Sequence, residues 1–163
     1  MNIRSYLRHT YISIYLVLLV ILTSRFVGIA ATNHLLIEAA ALLPLFPILG
    51  LFWLKTKEEL WGWGLFTIWL GSTYASLGST EELSVFILIS CLAITGIVYS
   101  HWFLVVAWFG HIIWDFLPRE LPEILHDLPT ACMIFDGLIG IYIIWRIPYI
   151  KNREFQLNTK IDH

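Results

Sequence analysis

Between Trp108 and Asp136 the chain reads WFGHIIWDFLPRELPEILHDLPTACMIFD, setting two histidines and three aspartates among apolar residues. His111 and Asp115 are four apart, so on a helix both project from one face, one turn above the other. Asp136 falls inside the apolar run Cys132-Met-Ile-Phe-Asp136. An ionisable group at membrane depth costs about 2.5–3.5 kcal/mol even on the mild insertion scales, and therefore calls for a partner. Imidazole nitrogen together with carboxylate oxygen is the donor set of a borderline divalent ion, with three or four ligands and one open position when the site is catalytic. The expected ligands are His111, Asp115 and Asp136, with His126 as a fourth ligand or proton shuttle and zinc as the expected ion. Such an ion lowers the pKa of its bound water to about 7 and directs it at an ester, amide or phosphoester, here of a lipid-like substrate. Glu38 is the expected general base, held by Arg25, although Arg25 and Glu38 also read as a plain structural ion pair between two helices. Two further readings use the same groups without a metal. They could relay protons or bind a cation in a small transporter, or they could tie helices together as a buried polar network in a structural or accessory subunit. His126 also reads as a solvated loop residue, and Asp127, just ahead of Leu128-Pro129, as the N-cap of the last helix.

The elements that must position these residues follow from composition. Of 163 residues, 58% are hydrophobic and only 13% charged, and the mean hydropathy is +0.76. That is too apolar for a soluble domain and predicts an all-α, polytopic membrane protein in a single domain. The apolar runs predict six transmembrane helices at about 11–31, 35–54, 60–77, 83–98, 102–117 and 129–147, followed by a polar tail over 148–163. One helix over 83–117 would be about 50 Å long, against a hydrocarbon core of about 30 Å; the expected turn lies near Tyr99 to His101, and a five-helix chain is the alternative. Arg4 and Arg8 precede the first run without a cleavage pattern leading to a soluble domain, which predicts a retained helix. Arg4, Arg8, Lys55, Lys57, Arg146, Lys151, Arg153 and Lys160 then fall on one face, opposite Arg119 among Glu81, Glu82, Glu120, Glu123 and Asp127. By the positive-inside rule both termini are expected in the cytoplasm, with the chain multi-pass in the inner (plasma) membrane. The lipid bilayer is the expected partner, together with a lipid-like substrate and a second copy or a partner membrane subunit. There is no basic tract for nucleic acid. Cys91 and Cys132 sit in separate apolar runs and read as small buried side chains.

In this arrangement Arg25, Glu38, Ser72, Tyr74, His111, Asp115 and Asp136 are all expected in one leaflet, whereas the opposite halves of the helices carry mainly Thr, Ser and aromatic residues. The carboxy-terminal third resembles a family of small uncharacterised prokaryotic integral membrane proteins, a domain of unknown function. Its pattern is His-x-x-Trp-Asp in a late helix, then Pro-x-x-Cys-x-x-x-Asp at the start of the last. Here these are His111, Trp114 and Asp115, then Pro129, Cys132 and Asp136. Where that family places one or two histidines shortly after the first motif, this chain has Phe116-Leu117-Pro118-Arg119. The resemblance implies the membrane architecture and marks the His/Asp motif as the site; it implies no activity.

Overall fold

The structure is a computed structural model that describes residues 3–75, 80–118 and 120–159, without the side chains of 3–9, 56, 73–75, 147, 148 and 150–159. The architecture is all-α, with no strand among the described residues. Its elements are α1 (Ile3–Thr32), α2 (Leu36–Leu42), α3 (Leu45–Leu51), α4 (Thr56–Ala75), α5 (Thr80–Val98), α6 (His101–Asp115), a 3-10 turn (Glu123–Leu125) and α7 (Leu128–Thr159). Among the described residues three stretches are long and apolar enough to cross a membrane: Thr10–Thr32, Thr80–Val98 and Glu123–Arg146.

Several helices depart from the sequence expectation, each for a local reason. The helix expected over 35–54 is broken into α2 and α3 at Leu43–Pro44. Pro44 and Pro47 have no N–H, so the carbonyls four residues before them, on Ala40 and Leu43, lose their usual helical donors. α4 begins ahead of the expected position 60, because Glu58 turns back and its Oε2 accepts the Lys55 backbone N–H at 3.2 Å, the return half of a capping box. The end expected at 77 lies outside the described residues. α7 does not stop at 147 but runs through the expected polar tail to Thr159. Lys151, Asn152, Arg153 and Glu154 change the polarity of the run without supplying a helix stop, and polarity alone does not end a helix. The turn expected near Tyr99 to His101 is present: α5 and α6 are separated by Tyr99 and Ser100, with Ser100 extended at the N-cap of α6. α1 ends with Leu35 N–H bonded to Ala30 O at 2.8 Å and His34 N–H to Ala31 O at 3.2 Å, a Schellman closure in which His34 takes φ 56°.

α6 is the central element, packed between α5 and α7 and touching α4. Its core stripe is Leu104, Ala107 and Trp108, all fully buried. At the start of the hairpin, α5 and α6 meet backbone to backbone: a Cβ on Gly96 would stand 2.5 Å from the Leu104 nitrogen. In mid-bundle Trp63, Phe66, Trp108 and Phe135 form an aromatic layer, with ring centroids 6.0 to 6.3 Å apart.

On one side of that layer, at the end where α4 and α6 begin, lies a buried ion pair. Glu59 on α4 is 1% exposed and Arg146 on α7 is 5% exposed. Arg146 Nε donates to both Glu59 oxygens at 3.1 and 3.2 Å, and Nη2 donates to Oε2 at 3.1 Å. Nη2 also reaches the Phe52 carbonyl at 3.1 Å, and the Tyr142 hydroxyl donates to Glu59 Oε1 at 2.9 Å. The guanidinium lies 4.4 Å from the centroid of the Phe52 ring and 4.7 Å from that of Tyr149. Bidentate geometry and a full set of partners are what make a buried pair tolerable. Removing one member strands the other. Glu59→Gln or Arg146→Gln is therefore expected to lower stability by about 3–5 kcal/mol, whereas the apolar pair Glu59→Met with Arg146→Leu restores most of it. Thermal unfolding in detergent measures both, and an unchanged midpoint in the single variants would contradict the structural role of the pair.

Candidate functional site

On the far side of the aromatic layer, α6 carries its core stripe into polar residues. His111, Trp114 and Asp115 continue the buried face begun by Leu104, Ala107 and Trp108, at the three- and four-residue spacing of one helix side. α7 approaches from the loop. Asp127 precedes its first residue, the Ala131 N–H bonds the Asp127 carbonyl at 3.0 Å, and Pro129 occupies the first turn, where a missing N–H costs nothing. Two turns further on, Phe135, Asp136 and Ile139 are buried.

The two helices bring His111 Nδ1 to 3.9 Å from Asp136 Oδ2, with both side chains buried. Asp115, also buried, lies close enough to Asp136 for the two carboxylates to act on each other electrostatically. The imidazole is flanked by Trp108 and Trp114, with centroids at 6.1 and 5.6 Å. The Thr67 backbone carbonyl approaches the ring, but Nε2 makes no hydrogen bond of normal geometry among the described residues. Trp114 Nε1 donates to Glu82 Oε2 at the start of α5. Gly71 of α4 comes close on the remaining side: a Cβ there would stand 3.0 Å from Phe86, 3.2 Å from Trp114 and 3.4 Å from His111.

His111 and Asp136 also form part of the wall of a cavity of about 260 Å³ between α1, α2, α4, α6 and α7. Most of the wall is apolar, with Val27, Ala40, Leu43, Trp69 and Phe135 among its members. The ionisable groups in it are His111, Asp136 and the Cys132 thiol. The imidazole thus has Nδ1 on the side of the Asp136 carboxyl, the Thr67 carbonyl near the ring and no hydrogen bond of normal geometry at Nε2 among the described residues.

The remaining expected site residues are not brought to this cavity. The His126 side chain is 87% exposed in the loop and pairs with Asp127 Oδ1 at 3.2 Å. Glu38 and Arg25 are both exposed, and no ion pair joins them among the described residues. The reason is helical phase. The buried stripe of α1 runs through Leu19, Thr23 and Ala30, and that of α2 through Leu36, Ala39 and Ala40; Arg25 and Glu38 each stand two residues, about 200°, from a stripe member. Glu38 is therefore not placed as a base for His111, nor Arg25 as its holder. Among the described residues no three His, Cys, Asp or Glu side chains are grouped to hold a metal ion. Ser72 is exposed and bonds the Trp69 carbonyl at 2.6 Å. The side chains of Tyr74 and Arg119 lie outside the described residues. Sequence reasoning missed Glu82, which reads as a surface residue in a charged turn. The available signal was its spacing of seven, eleven and fourteen residues to Ile89, Ala93 and Gly96, the buried stripe of α5.

The Glu82 to Trp114 hydrogen bond ties α5 to the residue next to Asp115. In a double-mutant cycle of Trp114→Phe and Glu82→Leu, unfolding in micelles is expected to show a coupling energy of about 1–3 kcal/mol. Strict additivity would mean that the bond holds nothing in place.

Compared with protein-family models, with curated proteins and with solved structures, the chain matches none.

Proposed function

We propose that this chain is a multi-pass protein of the inner (plasma) membrane that admits a lipid-like molecule to the cavity beside α6 and hydrolyses it by general acid–base chemistry on His111. The observation that carries this reading is the buried His111–Asp136 pair in the wall of an otherwise apolar cavity. In the proposed reaction His111 takes a proton from a water molecule, and the hydroxide adds to the carbonyl or phosphoryl centre of the substrate. Asp136, on the Nδ1 side, orients the ring and stabilises the imidazolium, with Asp115 adding negative charge from one turn away. The imidazolium then returns the proton to the departing oxygen or nitrogen. The 3.9 Å separation is longer than a hydrogen bond, and such contacts commonly tighten when substrate binds. The apolar walls suit an acyl or prenyl chain, since ligand sites pair a mostly hydrophobic lining with a few placed polar groups.

Six passes are part of the proposal. α4, α6 and the broken α2–α3 column cross beside the three longer spans, and both termini face the cytoplasm. In support, Lys55, Lys57 and Arg146 stand at the end of the bundle where α4 and α6 begin, together with the exposed aromatics Trp53, Trp61, Tyr99, Trp102 and Trp145. Basic residues mark the cytoplasmic side, and tryptophans mark an interface. The cavity then opens in the outer half. The motif resemblance belongs to this proposal too, because His111, Asp136 and Cys132 of its two patterns are all cavity residues.

The transport reading is weaker on one observation. Between the His/Asp cluster and the Glu59–Arg146 pair stands the aromatic layer, in which the Trp63 and Trp108 indole nitrogens have no hydrogen-bond partner among the described residues, and no ionisable side chain belongs to that layer.

The test is incubation of the purified protein with a membrane lipid extract, followed by mass spectrometry of the products. Loss of one lipid class and release of its hydrolysis product is expected for wild type. His111→Ala and Asp136→Asn are each expected to slow it by about 10²–10⁴-fold, and a chelator to leave it unchanged. Proton flux in proteoliposomes, abolished by the same substitutions, would favour transport instead. A lowered melting temperature with no turnover in wild type would leave the cluster a structural one.

A further inference from the structure

The cytoplasmic-side end of the bundle holds a second cavity, of about 320 Å³, between the first turns of α4 and the link from α5 to α6. It is remote from the first. His101 on its rim and His111 in the other cavity are ten residues apart on α6, about 15 Å along the axis. Its inner wall is apolar, formed by Leu60, Gly96 and Ile97. Its rim is of a different kind. Lys57 brings a cation, Ser100 a hydroxyl and His101 an imidazole, and the exposed rings of Trp61 and Tyr99 stand beside them.

Three properties coincide here. Lys57, an exposed residue, is the lysine of the lining; its ammonium carries three donors and no acceptor, so the site favours an anion. α6 begins at the same place with no side-chain hydrogen bond from its N-cap Ser100, which adds the positive end of a helix dipole to that charge. The surrounding exposed Trp53, Trp61, Tyr99 and Trp102 are amphipathic rings of the kind that lie at headgroup level. An occupant with an anionic head and an attached apolar body satisfies all three, whereas a free anion leaves the Leu60–Ile97 wall uncovered. We propose that this cavity binds the phosphate headgroup of an anionic phospholipid. Lys57 supplies the charge, Ser100 and His101 the hydrogen bonds, and Trp61 and Tyr99 flank the glycerol. The site is independent of the proposed hydrolase chemistry and stands or falls separately.

The experiment is native mass spectrometry of the full-length protein in mild detergent, titrated with phosphatidylglycerol or phosphatidylcholine, each with and without inorganic phosphate. The phosphatidylglycerol adduct is expected to dominate. Lys57→Gln is expected to weaken it by about fivefold, the effect of one basic residue near an anionic headgroup. His101→Gln is expected to weaken it as well. Lys55→Gln, an exposed lysine two residues away that does not line the cavity, is expected to leave it unchanged. Melting temperatures taken alongside separate lost binding from lost folding. Equal adducts with phosphatidylcholine overturn the proposal. So do equal losses in Lys55→Gln and Lys57→Gln, which indicate diffuse attraction, and full displacement by millimolar inorganic phosphate, which indicates a free-anion site.

Discussion

The bundle is organised around Glu59 and Arg146. In a chain this apolar, a charge on a core-facing stripe is stable only when its counter-charge and its remaining hydrogen bonds are supplied from other elements at the same level. Arg146 meets that demand from three places at once: the start of α4 through Glu59, the end of α3 through the Phe52 carbonyl, and its own helix through the Tyr149 ring. The pair thus fixes the register of α7 against α4. Because α7 also carries Asp136 ten residues earlier, about 15 Å along the axis, the register set at one end determines which residue of α7 faces His111 near the other.

Between those levels the core changes character. Trp63, Trp108, Phe66 and Phe135 fill the middle with ring-on-ring contacts that give shape and rigidity without polar connection. Beyond them the small residue Gly71 and the bond from Trp114 to Glu82 keep α4 and α5 close to α6, while α1 and α2 stand back far enough to leave a cavity. The two polar layers therefore differ in kind. Around Glu59 the oxygens are saturated by donors from one arginine and one tyrosine. At His111 a ring nitrogen has no such bond among the described residues, and the residue borders a cavity.

Much of the helical layout was legible in the sequence, because apolar runs bounded by charged or turn-forming residues announce helices directly. The turn at Tyr99–Ser100 followed from length alone, and the His111/Asp115 spacing put both on one face of α6. What could not be read from depth was helical phase. Arg25 and Glu38 sit at plausible depths for a pair yet point away from the core, whereas Glu59, Glu82 and Arg146 sit in segments that read as loop or boundary yet point inward. Each of the inward three falls in line with its neighbours: Glu59 with Trp63 and Phe66, Glu82 with Ile89, Arg146 with Ile139 and Ile143. The break at Pro44 was also available, since two prolines three apart interrupt the donor series, but the apolar run around them concealed it. The length of α7 was hidden for the opposite reason, a change of polarity without any change of backbone preference.

Gly96 sets a limit of another sort. Leu, Ile, Val, Phe and Met exchange in a core at modest cost when volume is kept, so most positions in these helices are free to wander over evolutionary time and overall similarity fades quickly. The contact between Gly96 and the Leu104 backbone has no such freedom, because any side chain there would strike main-chain atoms rather than something that can rotate away. A distant descendant of this fold would differ almost everywhere along its helices and still be recognisable by a glycine near the end of one helix, eight residues before the point on the next that it touches.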